Sequence, residues 1–240
     1  MSGTWVLIPA HNEQDTIIEM MLRCWWIRDS DNQQVDDVVV VDDGSTDFTA
    51  HFALGEHATV LTNPPGSQHG DGIRVGLRYA LDHGAERIVT IDAGASYDPA
   101  DIPVLLAALP GADVVVGSRV MDGAWRTQPW GRRLLTTLGT RLLGTLTDCT
   151  TLDYASFRAY TPAAARRALV LGATLDQRCH AFNPSLIFAL WRDGLTIKQV
   201  PVTYTSTNST LDLGSALGAL WSLLCLWQAR RWEKEAACRR

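Results

Sequence analysis

Four consecutive valines, Val38 to Val41, constrain this chain more than any other stretch, because such a run suits a strand covered on both faces. The run ends in Asp42-Asp-Gly-Ser-Thr-Asp47, a polar turn leading into a helix that reaches about Leu54. Arg87-Ile-Val-Thr-Ile-Asp-Ala-Gly94 repeats the arrangement: a short apolar strand closed by a carboxylate, then two residues small enough to let a ligand approach. Trp5-Val-Leu-Ile8 is a third such strand, stopped by Pro9 and followed by the polar loop Ala10-His-Asn-Glu13. In an open α/β sheet ligands gather at the carboxyl ends of strands, so three polar strand ends on one edge point to one shared site.

The first half alternates strands with helices. A helix capped by Asp15 runs to about Arg28, with Ile17, Ile18, Met21, Leu22 and Trp25 on its inner stripe. Ala58 to Leu61 is a shorter strand, Asn63 to Gly72 a long Gly/Pro loop, and Ile73 to His83 a helix ended by Gly84. Pro99 opens another helix, and Ala112-Asp-Val-Val-Val-Gly-Ser-Arg119 is a further buried strand with a basic tail. This alternation predicts an α/β fold: a mostly parallel, Rossmann-like sheet with helices on both faces. Beyond it, Gln128 to Leu146 reads as a helix carrying Arg132, Arg133 and Arg141; Phe157 to Tyr160 and Thr196 to Val202 as strands; Pro162 to Leu171 and Asn183 to Asp193 as helices. One domain over residues 1–212 is followed by a helix in 213–240, which is apolar at Leu217, Leu220, Trp221, Leu224 and Trp227 and basic at Arg230, Arg231 and Lys234. Its apolar part, about 15 residues, is shorter than a bilayer span. It either lies on a membrane surface, tryptophans in the interface, or packs on the domain or at a dimer contact.

A net charge of -5 argues against non-specific nucleic-acid binding. Cys24, Cys149, Cys179, Cys225 and Cys238 form no CxxC pair and no zinc-ligand spacing, so they read as reduced thiols of a cytoplasmic protein. No basic and apolar leader precedes the first strand, so no secretory signal is expected.

Carboxylates at strand ends can accept hydrogen bonds from ribose hydroxyls or a base N–H and can hold a divalent cation, which makes a nucleotide the natural guest. Neither a P-loop nor a dinucleotide fingerprint is present. Ile8-Pro-Ala-His-Asn-Glu13, Val40-Val-Asp-Asp-Gly-Ser-Thr-Asp47, Thr90-Ile-Asp-Ala-Gly-Ala-Ser-Tyr-Asp-Pro99, Asp113-Val-Val-Val-Gly-Ser-Arg119, Trp130-Gly-Arg-Arg-Leu134 and Phe157-Arg-Ala-Tyr160 occur in order. Together they resemble the family 2 glycosyltransferases of the GT-A fold, and among these the polyprenol-phosphate (dolichyl-phosphate) mannose or glucose synthases. The resemblance implies a UDP- or GDP-linked sugar donor, inverting transfer, a divalent cation (Mg²⁺ or Mn²⁺) on the diphosphate, a lipid-phosphate acceptor and a place at or near a membrane surface. It implies that Pro9, His11 and Glu13 border the nucleotide, that Asp42 or Asp43 holds base and ribose, and that Asp92 begins the Asp-x-Asp signature as metal ligand. It also places Arg119 and Arg132 or Arg133 on phosphates, where cations stabilise the charge of the departing diphosphate.

The chain departs from that pattern in four places. The second signature carboxylate is Gly94, and the glutamine common two positions later is Ser96. No Lys or Arg stands near His69-Gly-Asp-Gly72 before Arg74, and the loop Thr203 to Asp212 carries no cation where lipid-phosphate relatives place basic residues. Hence either the cation binds weakly through the diphosphate, or Asp98 swings in, or transfer dispenses with metal and leans on arginines, or the protein is a nucleotide-sugar-binding module without activity. A hydroxyl acceptor, on a small molecule, a glycan or a hydroxymethylated DNA base, would need a general base such as Asp153 or Asp148; an ionised phosphate would not.

Overall fold

A computed structural model describes residues 3–29, 35–55, 58–121, 134, 137, 138, 140, 141, 144, 145 and 153–205. Seven strands form one sheet: β1 (Thr4–Ala10), β2 (Asp37–Asp42), β3 (Thr59–Thr62), β4 (Arg87–Thr90), β5 (Val114–Ser118), β6 (Arg158–Tyr160) and β7 (Ile197–Pro201), in the order β3-β2-β1-β4-β6-β5-β7. All are parallel except β6, which runs against both β4 and β5. The mostly parallel α/β reading therefore holds. The valine run is buried throughout, as a strand with helices on both faces requires.

The helices are α1 (Ile17–Asp29), α2 (Thr49–Gly55), α3 (His69–Asp82), α4 (Ile102–Ala108, after a 3₁₀ turn Pro99–Asp101), α5 (Pro162–Gly172) and α6 (Cys179–Arg192). They pack in two groups: α1 with α2 and the Pro99 turn that leads into α4, and α3 with α5 and α6. Topology explains the division. From β1 to β2 to β3 the chain steps outward, then α3 returns it past β1 to β4; right-handed crossovers put a helix of the return step on the opposite face. The reversal leaves a crevice between the carboxyl ends of β1 and β4, the switch point where such sheets bind ligands.

Several local expectations are corrected. β1 does not stop before Pro9 but runs through it to Ala10. The proline is tolerated because its missing N–H lies on the β4 side, and the β1–β4 ladder has already ended at Leu7–Thr90. On α1 the buried stripe is Ile17, Met20, Met21, Cys24 and Ile27, and Leu22 stands 50% exposed. The Gly/Pro loop is shorter than expected, since His69-Gly-Asp-Gly72 is already the first turn of α3. There the Gln68 amide donates to Asp71 Oδ2 at 3.1 Å, half of a capping box that starts the helix. α6 begins at Cys179, ahead of the expected Asn183, with Pro184 in its first turns. Arg132, Arg133, Trp130 and the helix of residues 213–240 lie outside the described residues, and the described positions between 134 and 145 are helical, as expected. Among the described residues, no helix is long and apolar enough to cross a membrane.

Leu7, fully buried between the helix layers, should cost about 2–5 kcal/mol of stability when replaced by alanine. Leu22→Ala should change it by about 0.5 kcal/mol or less; urea denaturation of the two variants checks the contrast.

Candidate active site

The crevice is an open cleft of about 650 Å³ lined by Pro9, Ala10, His11, Glu13, Thr16, Asp43, Gly66, Ser67, Gln68, His69, Asp92, Ala93, Gly94 and Ser96. Sheet register brings most of these together. Ala10 pairs with Asp42, so the next residues, His11 and Asp43, meet, and His11 Nδ1 donates to the Asp43 carbonyl oxygen at 3.0 Å. A carbonyl only accepts, so this contact fixes the proton on Nδ1; Nε2 is left to accept from Asn12 Nδ2 at 3.3 Å. Asn12 adopts φ 55°, a conformation asparagine tolerates, and stitches the loops after β1 and β2 together: its N–H donates to Ser45 Oγ (2.9 Å), and its Oδ1 accepts from the Thr46 N–H (2.8 Å). Glu13 and Gln14 add backbone donors to Thr49 Oγ1 (2.8 Å) and Asp47 Oδ2 (3.2 Å). Asp47 also accepts from the Thr49 N–H at the start of α2, so it is a cap and a stitch between loops.

Asp42 and Asp43 divide the work between them. Asp42 is buried and turned into its own loop, its Oδ1 accepting from the Ser45 N–H at 3.2 Å; it does not line the cleft. Asp43 does. Its Oδ1 accepts from Asn63 Nδ2 at 2.8 Å, and its Oδ2 lies against α3, where a Cβ on Gly72 would come within 2.4 Å of it. A glycine at 72 is thus what lets α3 close over this carboxylate. Burial pushes the Asp43 carboxyl up to about 7, against the Asn63 hydrogen bond and with help from Asp71 and Asp42. A carboxyl near neutrality can both donate to and accept from a base or ribose.

Asp92 sits just past β4. Ser156 Oγ donates to its Oδ2, and Thr90 Oγ1 donates to the Ser156 carbonyl at 2.7 Å. Its other oxygen, Oδ1, is buried with no hydrogen-bond donor. Beside it, His69 opens α3, with Nε2 accepting from Asn183 Nδ2 at 3.2 Å; burial pulls its pKa down, Asp92 opposing and Arg158 assisting, which favours a neutral ring. Glu13 is held by Thr16 Oγ1 at 2.9 Å, and its carboxyl is raised by burial, then by Asp92, Asp47 and Asp15, against that hydrogen bond. The orphaned Asp92 oxygen and the surplus of negative charge fit a hard divalent cation. Among the described residues no group of three or more His, Cys, Asp or Glu gathers to hold one, so the donors fit a cation shared with a substrate's phosphates, not a protein cage.

Arg119 and Asp153, expected on a phosphate and as a base, do not line the cleft; they bind each other. Arg119 Nη2 meets Asp153 Oδ1 at 2.6 Å and Nε meets Oδ2 at 3.1 Å, with the guanidinium 5.2 Å from the Tyr154 ring and 5.6 Å from the Tyr204 ring. Asp98 does not swing in either: it caps the Pro99 turn through the Ala100 N–H and pairs with Arg23 at 2.6 Å. Arg158 is fully buried, and its guanidinium donates to the carbonyl oxygens of Ala155 (2.6 Å), Tyr154 (3.2 Å) and Asn183 (3.0 Å). Sequence reasoning missed Gln68, His69 and Ser156. The first two fell in the stretch read as a Gly/Pro loop, which the structure makes the start of α3, and Ser156 is placed only by strand register.

A family model described as glycosyl transferase family 2 matches residues 5–171. The chain is 31% identical to the undecaprenyl-phosphate mannosyltransferase of Micrococcus luteus, over 94% of this chain and 96% of that protein. It is 30% identical to the polyprenol monophosphomannose synthase of Mycolicibacterium smegmatis, over 84% of this chain and 77% of that protein. In fold it resembles glucosyl-3-phosphoglycerate synthase of Mycobacterium tuberculosis, solved with Mn²⁺, UDP and glucosyl-3-phosphoglycerate, at TM-score 0.71 and 22% identity, covering 94% of this chain and 80% of that one.

The buried charges have two measurable consequences. The fold holds the Asp43 proton more tightly than the unfolded chain does, so this group's contribution is fully present below pH 3.8 and is lost as pH rises through about 7. Asp43→Asn should flatten that part of a stability–pH curve measured by denaturant titration. Asp153→Ala strands a largely buried guanidinium and should cost about 3–5 kcal/mol, whereas Asp193→Ala, which breaks the exposed pair with Arg167, should leave the unfolding midpoint nearly unchanged by the same method.

Proposed function

Because the chain belongs to glycosyl transferase family 2 and is a glycosyltransferase, we propose that it moves a hexose from a UDP- or GDP-linked donor to a polyprenyl phosphate, with inversion, at a membrane surface. The observation that carries the reading is the cleft in which Asp43, Asp92, Glu13 and His11 converge at the carboxyl ends of β1, β2 and β4. In this reading Asp43, poised between its two protonation states, takes the base or ribose, and His11, held by the Asp43 carbonyl, borders it. Gln68 and His69 bring the N-terminus of α3 to the cleft, and a helix N-terminus suits phosphate. Arg132 and Arg133 are the proposed further phosphate contacts.

The transfer forms a bond from a phosphate oxygen of the acceptor to the anomeric carbon and breaks the bond to the diphosphate, which leaves with the electron pair. A divalent cation, when bound at Asp92, supplies positive charge where the leaving group gathers negative charge. The chain's own contribution is to orient the donor: Asp92 is fixed by Ser156 and Asp43 by Asn63. A phosphate acceptor is already ionised and needs no base. Asp153, the carboxylate that a hydroxyl acceptor would call on, is spent on Arg119, which supports the phosphate reading over the hydroxyl one.

Thermal shifts with UDP, GDP and their sugars, with and without Mn²⁺, test the donor. At least one nucleotide should stabilise the protein, and Asp43→Ala and Asp92→Ala should each lose the shift. Transfer of labelled sugar into a polyprenyl-phosphate extract, set against DNA and soluble hydroxyl acceptors, tests the acceptor. No shift with any nucleotide overturns the reading.

A further inference from the structure

The carboxylate missing at position 94 is matched by one that arrives from a different loop. A Cβ built on Gly94 would lie 3.2 Å from Glu13 Oε1 and 3.7 Å from Oε2. The space into which a side chain at 94 would grow is therefore already held by the Glu13 carboxylate. Resting on the donor reading above, we infer that Glu13 replaces the absent second signature carboxylate, so that Asp92 from the β4 loop and Glu13 from the β1 loop together hold the divalent cation of the nucleoside diphosphate.

Three features support the assignment. The two carboxylates line one cleft, with Gly94 beside both. Among the described residues neither forms an ion pair with Lys or Arg: Glu13 has the Thr16 hydroxyl, Asp92 the Ser156 hydroxyl, and Asp92 Oδ1 remains buried without a donor. Two acidic side chains on one cleft, satisfied only by hydroxyls, leave negative charge for a cation to neutralise. Finally, Glu13 is placed by the backbone. Its N–H donates to Thr49 Oγ1 at 2.8 Å, and its carbonyl accepts from the Thr16 N–H (3.1 Å) and the Ile17 N–H (2.9 Å) at the start of α1. That geometry survives a change of side chain, so the carboxylate can be altered without moving the loop.

Mn²⁺ binding, read by the electron paramagnetic resonance of free Mn²⁺, tests this on the protein saturated with whichever of UDP or GDP stabilises it. Glu13→Gln keeps an acceptor for the Thr16 hydroxyl and removes the charge. It should weaken Mn²⁺ about ten-fold or more, a loss larger than any change in metal-free nucleotide affinity measured alongside. Gly94→Ala, whose methyl presses on Glu13, should weaken Mn²⁺ in the same sense, and Gly94→Asp added to Glu13→Gln should recover affinity. Nucleotide binding with unaltered Mn²⁺ affinity in both single variants overturns the inference and spares the donor reading. Failure of the wild-type protein to bind either nucleotide overturns both.

Discussion

A parallel strand delivers to the carboxyl edge of its sheet the residues on its C-terminal side; an antiparallel strand delivers those on its N-terminal side. Among the described residues, β6 is the one strand of the sheet that runs against its neighbours, and the placing of side chains at this edge depends on that reversal. Thr90 pairs with Arg158, so continuing the register sets Ser156 opposite Asp92, and the serine hydroxyl duly meets that carboxylate. On the other flank, Val116 also pairs with Arg158, and the segment before β6 folds back past the end of β5 to place Asp153 on Arg119. Were β6 parallel, both partners would lie at the far end of the sheet. The buried Arg158 belongs to the same arrangement: it ties Ala155 and Tyr154 to the carbonyl of Asn183 in α6, anchoring the incoming segment to the helical layer.

That dependence marks the limit of what the chain discloses by itself. The valine run, the alternation of strands and helices and the three acidic strand tips were legible because each is local: apolar β-branched residues of strand length met at once by polar turns. Asp43, Asp92, Glu13, His11, Pro9 and Gly94 line one cleft. The part that was not legible is pairwise. Nothing in the neighbourhood of Arg119 says that its partner is Asp153, 34 positions on, and the pairing turns an expected phosphate contact and an expected base into each other's counterion. Asp42 and Asp43 are adjacent in sequence and opposite in fate, because strand alternation turns one into its own loop and the other toward α3. Pro9 read as a stop because its missing N–H is costly in a central strand; only the early end of the β4 ladder removes that cost.

Burial sets the electrostatics of the edge. Packing keeps Asp43 and Glu13 wholly or partly from water, and that burial raises the carboxyl of each, Asp43 to about 7 and Glu13 in the same direction. Among the described residues, Arg119 is committed to Asp153, Arg23 to Asp98 and Glu19, and Arg74 to Asp71. The acidic groups that line the crevice are therefore offset by hydroxyl and amide donors and not by these guanidinium groups.

The stretch after β7 touches this edge at one further point. Tyr204 bridges Tyr97, the two rings 5.1 Å apart, and the Thr205 N–H donates to the Ser96 carbonyl at 2.9 Å; between Gly94 and Ser96, Ala95 is held at φ 50°. The turn that carries Asp92 is thus braced from two sides, by β4 and by the residues that follow β7, so a change at Tyr204 bears on the crevice without passing through the sheet.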